Sequence, residues 1–266
     1  MNQLREGCTI AGLILRRELL ALANSWKEVA SSAFIYASLI SLTAGYFMPA
    51  MGMPVALCAP LYAGAFIVNS YSVAYTCAIE VAFDLRSPKL GAYYYGLPVP
   101  FWMVMGARVL GMMVRILAIG VPVFILGFII IGRWEYFSIS WVGLVAMLVL
   151  TVQYVTLLFL ALAHRTPLPV LLGNIWPRLL SPMAALGCAM YPFRVAAEKA
   201  WWLSRLMLLN PMVYCCEGMR AAFFGNAGYL NISLCIVVLV CVNTALWLFL
   251  RQSIVQAINP VIMRRV

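Results

Sequence analysis

Residues 230–250 read LNISLCIVVLVCVNTALWLFL, a run without a single charged side chain. About 20 predominantly apolar residues are what an α-helix needs to cross the hydrocarbon core of a membrane. The strands of a transmembrane barrel would instead alternate in polarity and run for only about 10 residues. The stretch therefore predicts a membrane-spanning helix, the clearest one in this chain.

The same apolar character extends through all 266 residues, of which 65% are hydrophobic and 10% are charged. A water-soluble domain would carry about 25% charged residues, so this chain needs lipid as its solvent. The predicted fold class is all-α integral membrane, with six transmembrane helices inside residues 29–251. Besides the stretch quoted above, the predicted spans cover residues 29–47, 60–79, 102–131, 139–163 and 168–190.

Residues 1–28 are predicted to form an N-terminal amphipathic helix at the cytoplasmic interface. Its apolar residues recur at spacings of three and four, and polar residues fall on the opposite side. The apolar set is Leu4, Cys8, Ala11, Leu15, Leu22 and Trp26, and the polar set is Arg5, Thr9, Arg16 and Lys27.

The net charge of +10 predicts the orientation of the chain. With the N-terminus inside, 11 of the 18 Lys and Arg residues fall on the inner side and 5 on the outer side. Cytoplasmic loops carry this excess, so we expect both termini, including the tail 252–266, to be cytoplasmic in a multi-pass protein of the cell (inner) membrane. The basic residues then contact membrane lipid, and no nucleic-acid partner is expected.

A proline break precedes the last span, where residues 209–221 read LNPMVYCCEGMRA. Asn210 and Pro211 should end one half-helix and begin the next, because proline suits the first turn of a helix. Glu217 and Arg220 are three residues apart and share a helix face, either as a structural ion pair or as an outer gate. A full crossing here would place the C-terminal arginines outside, so residues 191–229 are predicted to form an outer re-entrant pair of half-helices.

Three polar residues inside predicted spans are candidates for a transport pathway. Asn69 and Tyr75 lie in a second span that is polar for a helix facing lipid. Arg178 lies in the fifth span, which Pro177 and Pro182 interrupt. It could meet an anionic substrate head group, or the prolines could shift it to the inner interface.

The chain offers no nucleophile–base pair and no spacing of metal ligands, so neither catalytic nor metal-binding residues are expected. None of its eight cysteines forms a Cys-x-x-Cys pair, and most lie in apolar stretches. Glu80 and Asp84, near the inner end of the second span, are expected to pair with Arg86, Lys89 or the N-terminal helix.

This order of parts resembles the permease subunits of type-2 ABC exporters over nearly the whole chain. The late Asn-Pro-x-x-Tyr-x-x-Glu-x-x-Arg stretch carries the resemblance most specifically, as Asn210, Pro211, Tyr214, Glu217 and Arg220. The family's acidic and Gly-Thr pattern is replaced in the first interior loop by residues 86–91, RSPKLG. The resemblance implies that the loop 80–100 is a coupling helix or loop that rests on an ATPase. Its implied contacts are Asp84, Arg86, Lys89, Tyr93, Tyr94 and Tyr95.

The resemblance also implies the other subunits of the transporter. A second permease subunit, identical or different, pairs with this one, and two ATP-binding cassette subunits dock beneath them. This chain has no Gly-x-x-x-x-Gly-Lys-Ser/Thr phosphate loop, so we expect no cofactor in it, with ATP and Mg on the partner and no ATPase activity of its own. The implied function is ATP-driven export of an amphipathic substrate, which would be a lipid, a hydrophobic drug or a lipid-linked glycan.

Two alternatives belong to other classes. An ion-coupled secondary carrier or channel would work without ATP and could use Glu80, Arg115, Arg178 and Glu217 as an intramembrane charge relay. A membrane scaffold would transport nothing.

Overall fold

In the computed structural model, residues 2–53, 60–87, 101–131 and 138–263 are described, and within these ranges the chain forms helices and no strands. Four of the implied ATPase contacts lie outside the described residues, namely Lys89, Tyr93, Tyr94 and Tyr95.

Eleven helical segments can be followed through the described residues. The helices are α1 (Asn2–Asn24), α2 (Trp26–Leu42), α3 (Leu61–Arg86), α4 (Phe101–Ile131), α5 (Trp141–Arg165), α6 (Leu168–Gly173), α7 (Ser181–Ala185), α8 (Phe193–Lys199), α9 (Trp201–Met207), α10 (Pro211–Phe224) and α11 (Ile232–Met263). Helix α2 continues through a π-helical turn at Thr43–Phe47 to Ala50, and a second π-helical turn at Trp176–Leu180 precedes α7.

Five helices in the described part of the chain are long and apolar enough to cross a membrane. They are Trp26–Ala50, Leu61–Arg86, Trp102–Pro122, Trp141–Arg165 and Ile232–Ser253. The prediction of an all-helical, multi-pass membrane protein is confirmed to that extent. The apolar side chains that point outward on these helices, such as Phe34, Ile35 and Leu39 on α2, suit contact with lipid tails.

Helices α3 and α5 form the centre of the helix group. Small side chains recur along α3 at Ala63, Ala74, Ala78 and Ala82, all of them buried. Small residues let helix backbones approach closely, which drives helix association in lipid, where the hydrophobic effect contributes little. The larger buried side chains of α5, such as Phe159 and Leu160, complete this core.

The two ends of the helix group can be identified from hydrogen bonds. At one end, Arg86 donates to the carbonyl oxygens of Ala163 and Thr166, and Arg165 donates from Nε to Ser253 Oγ at 2.9 Å. We call this the Arg86 end, where α3 and α5 finish.

The opposite end is where α3 and α5 begin, and we call it the Pro60 end. There the backbone N–H of Ser140 donates to the carbonyl of Ala222 at 2.9 Å, and Ser138 donates to Phe223 at the same distance. These bonds join the start of α5 to the last turn of α10.

The predicted span 168–190 is not one continuous helix. The structure divides it into α6, the π-helical turn and α7, with a break at Asn174. Proline has no N–H and clashes with the preceding turn, and prolines stand at positions 167, 169, 177 and 182. The segment nevertheless starts beside Arg86 and reaches Gly64 near the Pro60 end, where the Ala189 carbonyl packs.

Helix α3 is longer than predicted, because it continues past residue 79 to Arg86. Asp84 and Arg86 therefore lie in the last turn of a helix and not in the predicted interior loop 80–100. A polar end on a membrane helix is common, since side chains of this kind can reach the headgroup level.

Helix α1 packs through a face close to the predicted one. Ile14 is buried, and Ala11, Leu15 and Leu22 are partly buried. Trp26, predicted on the same stripe, belongs to α2 and is 59% exposed. The chain turns at Ser25, which takes Trp26 out of the helical period of α1.

Candidate functional site

The break at Asn210 and Pro211 is fixed by the asparagine side chain. Asn210 Oδ1 accepts a hydrogen bond from the backbone N–H of Met212 at 3.1 Å and so caps α10. Its Nδ2 donates to the carbonyl of Met183 at 2.8 Å, in the broken segment. Pro211 occupies the first turn of α10, as the sequence predicts.

Tyr214 holds the other side of the same break. Its hydroxyl donates to the carbonyl of Leu208 at 2.9 Å, just after the end of α9. The last carbonyls of a helix have no partner within the helix, so a side-chain donor is needed where water is excluded. The turn between α9 and α10 is thus closed by side chains from both of its flanks.

Glu217 and Arg220 form an ion pair of 2.8 Å, and both side chains are fully buried. Glu217 also accepts hydrogen bonds from the backbone N–H groups of Phe193 at 3.0 Å and Leu230 at 3.4 Å. The carboxylate therefore ties the start of α8 and the approach to α11 to the middle of α10.

Arg220 extends this network to three backbone carbonyls. It donates to Pro60 at 3.1 Å, to Tyr191 at 3.0 Å and to Ala189 at 3.1 Å. A buried ion pair is tolerated when further hydrogen bonds satisfy its remaining groups, and this arrangement meets that condition. The structural reading of the Glu217–Arg220 pair accounts for every contact observed, and the gate reading stays a prediction.

Helix α10 runs from the interior of the helix group to its Pro60 end. Its last turn bonds Ser140, while Gly218 packs against Met147, about 10 Å further along α5. The start of α10 at Pro211 lies about 10 Å deeper again by helical rise. The residues before α8 also meet the Pro60 end, because Ala189 and Tyr191 bond Arg220 there.

Tyr75 fastens the broken segment to α3. Its hydroxyl contacts the carbonyls of Leu171 at 2.8 Å and Leu172 at 3.1 Å, where α6 ends. Its ring packs on Trp176, with centroids 5.7 Å apart. Tyr75 therefore supplies a partner for backbone groups that the proline-rich segment cannot pair internally.

A second attachment depends on a glycine. A Cβ atom built on Gly64 of α3 would lie 1.8 Å from the carbonyl oxygen of Ala189. Only a residue without a side chain permits this close approach of two backbones. The far end of the broken segment is thereby seated against the first turn of α3.

Arg178 lies about midway along the broken segment and its side chain is exposed. Within the described ranges it makes no ion pair and no side-chain hydrogen bond. Four large apolar residues of the segment are also exposed, namely Leu172, Trp176, Leu186 and Met190. We call this surface of residues 172–190 the Arg178 face.

The other two predicted pathway residues differ in their surroundings. Tyr75 is near the Arg178 face through its contact with Trp176. Asn69 is buried on α3, and its Nδ2 has no hydrogen-bond partner among the described residues. The structure thus brings Tyr75 close to the segment that carries Arg178, while Asn69 belongs to the core.

The predicted pairing of Glu80 and Asp84 was partly wrong. Asp84 pairs with Arg108 of α4 and, at 3.5 Å, with Arg17 of the N-terminal helix. Glu80 pairs with Arg115 at 2.9 Å. Arg86 pairs with neither carboxylate, because it donates to backbone carbonyls at the end of α5 and to Ala82.

The expected docking contacts Asp84 and Arg86 are therefore engaged within this chain. Sequence reasoning missed Arg17, Glu18 and Arg108 as members of this polar group. The available signal was the polar Arg-Arg-Glu sequence at residues 16–18, which interrupts the apolar face of α1.

The charge relay of the alternative hypothesis is not continuous in this arrangement. The Glu80–Arg115 pair lies toward the Arg86 end, and the Glu217–Arg220 pair contacts Pro60. Twenty residues of helix α3 separate positions 60 and 80, a distance of about 30 Å.

Among the described residues, no group of three or more His, Cys, Asp or Glu side chains could hold a metal ion. No family model matches this chain, and no curated protein and no solved structure matches it either.

Proposed function

We propose that this chain is the membrane-spanning permease half of an ATP-driven exporter for amphipathic substrates. The observation that carries the proposal is the exposed Arg178 on a broken helix, midway between the two ends of the helix group. A charged side chain at that depth cannot favourably face lipid tails, so it belongs to a pathway or a subunit interface.

The broken segment is proposed to be the sixth crossing. Its start is beside Arg86 through Thr166, and its end is beside Gly64 through Ala189. Positions 64 and 86 are about 33 Å apart along α3, which is comparable to the thickness of the hydrocarbon core. Broken helices at membrane depth are tolerated where protein or water covers their backbone, and Tyr75 provides part of that cover.

Residues 191–229 are proposed to enter and leave the membrane on the same side. Tyr191 and Ala222 both bond groups at the Pro60 end, while Pro211 lies about 17 Å from Ala222 along α10. Asn210 and Tyr214 satisfy the backbone at the turn between the descending and ascending helices. This geometry favours a re-entrant pair of half-helices that shapes the outer mouth.

A second permease subunit is proposed to cover the Arg178 face. Exposed apolar residues lie on both sides of the arginine along this segment, namely Leu172, Trp176, Leu186 and Met190. A partner with the same face would enclose a cationic path. Such a path attracts an anionic head group while apolar walls contact a tail, which fits a lipid, a hydrophobic drug or a lipid-linked glycan.

ATP is proposed to act from the Arg86 end, which would be cytoplasmic. Arg17, Arg86, Arg108 and Arg165 lie there, in agreement with the positive-inside rule. Since Asp84 and Arg86 bond their own chain, Lys89, Tyr93, Tyr94 and Tyr95 are the stronger proposed contacts for the ATP-binding cassette subunits.

The test is co-purification of the full chain with its ATP-binding subunits, followed by reconstitution into liposomes. We expect the complex to hydrolyse ATP, and amphipathic anions to stimulate hydrolysis. Arg178→Gln should reduce that stimulation about tenfold, the effect of losing one charge-assisted contact. Arg251→Gln, which changes an exposed arginine of α11 outside the Arg178 face and outside residues 191–229, is the matched control.

Two results would overturn the proposal. The first is a stable, purified chain that recruits no ATPase. The second is transport driven by a proton or sodium gradient without ATP, which would select the ion-coupled carrier instead.

A further inference from the structure

A polar cavity of about 330 Å³ lies between α1, α3 and α4, and its lining includes none of the pathway candidates Asn69, Tyr75 and Arg178. This volume falls in the range of small-molecule sites, about 300–1,000 Å³. Its charged lining consists of three arginines and three carboxylates, namely Arg17, Arg108, Arg115, Glu18, Glu80 and Asp84. The cavity therefore offers both signs of charge in equal number.

These charges are ordered around the cavity as neighbouring acid–base pairs. Asp84 lies between Arg108 and Arg17, and Glu80 contacts Arg115 through both carboxylate oxygens, at 2.9 and 3.2 Å. Arg108 is nearly buried, whereas Glu80 is 54% exposed. Glu80 and Arg115 are therefore more accessible to a ligand than Arg108 is.

An apolar groove of about 520 Å³ borders the polar cavity. Leu22 lines both of them. The groove runs between α1, α2 and α4, and its walls include Leu19, Trp26, Ala30, Phe34 and Ala118. A phospholipid has a polar head group and apolar acyl chains, so a polar cavity beside an apolar groove matches its two parts.

The junction of α1 and α2 lies at the boundary between the two compartments. Ser25 lines the polar cavity, and the next residue, Trp26, lines the groove. Tryptophan is enriched where head groups meet hydrocarbon. Trp26 therefore lies where the polar cavity meets the apolar groove, and tryptophan also prefers the level where head groups meet hydrocarbon in a membrane.

We propose that this crevice binds a phospholipid with a primary ammonium head group, of the phosphatidylethanolamine type. The balanced lining matches a zwitterion, because a phosphate beside Arg115 and an ammonium beside Glu80 are both compensated. An anionic lipid would draw Arg115 to its phosphate and bring no cation for Glu80, which would lose its partner. The ammonium N–H groups can donate to Glu80, whereas the quaternary choline head group has no donor.

This binding does not depend on the proposed export function, since it needs neither ATP nor Arg178. The bound lipid would hold the N-terminal helix against α3 and α4 at the headgroup level. The same contacts would be made by a permease, a carrier or a scaffold.

The test is native mass spectrometry of the full chain in mild detergent, with phosphatidylethanolamine, phosphatidylcholine and phosphatidylglycerol added in equal amounts. We expect the ethanolamine lipid to be retained about tenfold more than the choline lipid, as expected for one charge-assisted hydrogen bond. Glu80→Gln should remove most of this preference. Glu198→Gln, an exposed glutamate of another ion pair, should keep it.

A second variant tests the groove while leaving all charges in place. Ala30 is exposed and lines the groove, so Ala30→Phe should fill it and lower total lipid retention about tenfold. Ala245→Phe adds the same ring to an exposed position of α11 and should have no effect.

Equal retention of the ethanolamine and choline lipids would overturn the proposal, as would preferential retention of phosphatidylglycerol. The proposal would also be overturned if Glu80→Gln kept the preference for the ethanolamine lipid and Ala30→Phe kept the total lipid retention. Size-exclusion profiles identical to that of the parent chain establish that each variant is folded. Glu80→Gln changes the charge of the polar cavity, whereas Ala30→Phe changes the volume of the apolar groove.

Discussion

Arg220 donates a hydrogen bond from Nε to the carbonyl oxygen of Pro60, 160 residues earlier in the chain, at 3.1 Å. This contact links α10 to the residue that precedes α3. It also places a fully buried cation where it reaches the backbone carbonyls of Ala189 and Tyr191, in one further segment. The stability of the Pro60 end should therefore depend on this side chain.

Arg220→Ala should destabilise the protein by about 3–5 kcal/mol, because it leaves Glu217 buried without its partner. Arg220→Lys should recover only part of the loss, since an ammonium cannot reproduce the planar fork that reaches four acceptors. The free energy of unfolding in detergent, from denaturant titration, measures both effects. Arg194→Lys, at an exposed pair, should change it by less than about 0.5 kcal/mol.

Removing both members of the buried pair should be milder than removing one. In Glu217→Met/Arg220→Met no charge remains buried, so the loss should be smaller than in Arg220→Met alone. A double-mutant cycle gives the coupling energy between the two residues. A coupling near zero would contradict the role assigned to the pair.

Gly64→Ala should be strongly destabilising, because the new Cβ would collide with the Ala189 backbone. The backbone cannot move aside as a flexible side chain would, so the broken segment must shift. Gly106→Ala is the matched control: its Cβ would meet nothing within 4 Å, and alanine is about 1 kcal/mol better than glycine in a helix. In thermal unfolding we expect Gly64→Ala to lower the Tm and Gly106→Ala to raise it.

Tyr75→Phe should loosen the broken segment without disturbing α3. The substitution removes the hydroxyl that contacts Leu171 and Leu172, at a cost of about 1 kcal/mol. Hydrogen–deuterium exchange should rise within residues 168–180 and stay unchanged in α5. Tyr46→Phe, at an exposed residue, serves as the control, and equal exchange in both variants would refute this role for Tyr75.

The two bonds of Asn210 can be separated by substitution. Asn210→Ala removes the cap of α10 and the bond to Met183, and should cost about 1–2 kcal/mol or more. Asn210→Ser keeps a capping oxygen but cannot reach Met183, so its loss should be smaller. Equal losses in the two variants would mean that the cap contributes nothing to stability.

The features that the sequence predicted well are local ones. The start of α10 follows from Asn210 and Pro211, and the Glu217–Arg220 pair follows from a spacing of three on a helix. The apolar spans follow from composition over about 20 residues. Each of these depends on residues that are close along the chain.

The features that the sequence did not reveal depend on distant contacts. Arg115 is 35 residues from Glu80, and no periodicity relates the two positions. Likewise, the carbonyls that meet Arg220 come from segments 29 to 160 residues away. The interruption of residues 168–190 was predicted from Pro177 and Pro182, but its position at Asn174 was not, because no proline stands at that residue.

The broken segment has a consequence for how the protein is made. A stretch with several prolines and one arginine partitions poorly into lipid if it leaves the insertion machinery without contact to another helix. Its backbone accepts a hydrogen bond from Tyr75, and its far end packs against Gly64. Both residues belong to α3, which is synthesised about a hundred residues earlier. We therefore expect biogenesis to be sequential: nascent chains that lack α3 should fail to retain residues 168–190, the proposed sixth crossing, in the bilayer and should be degraded.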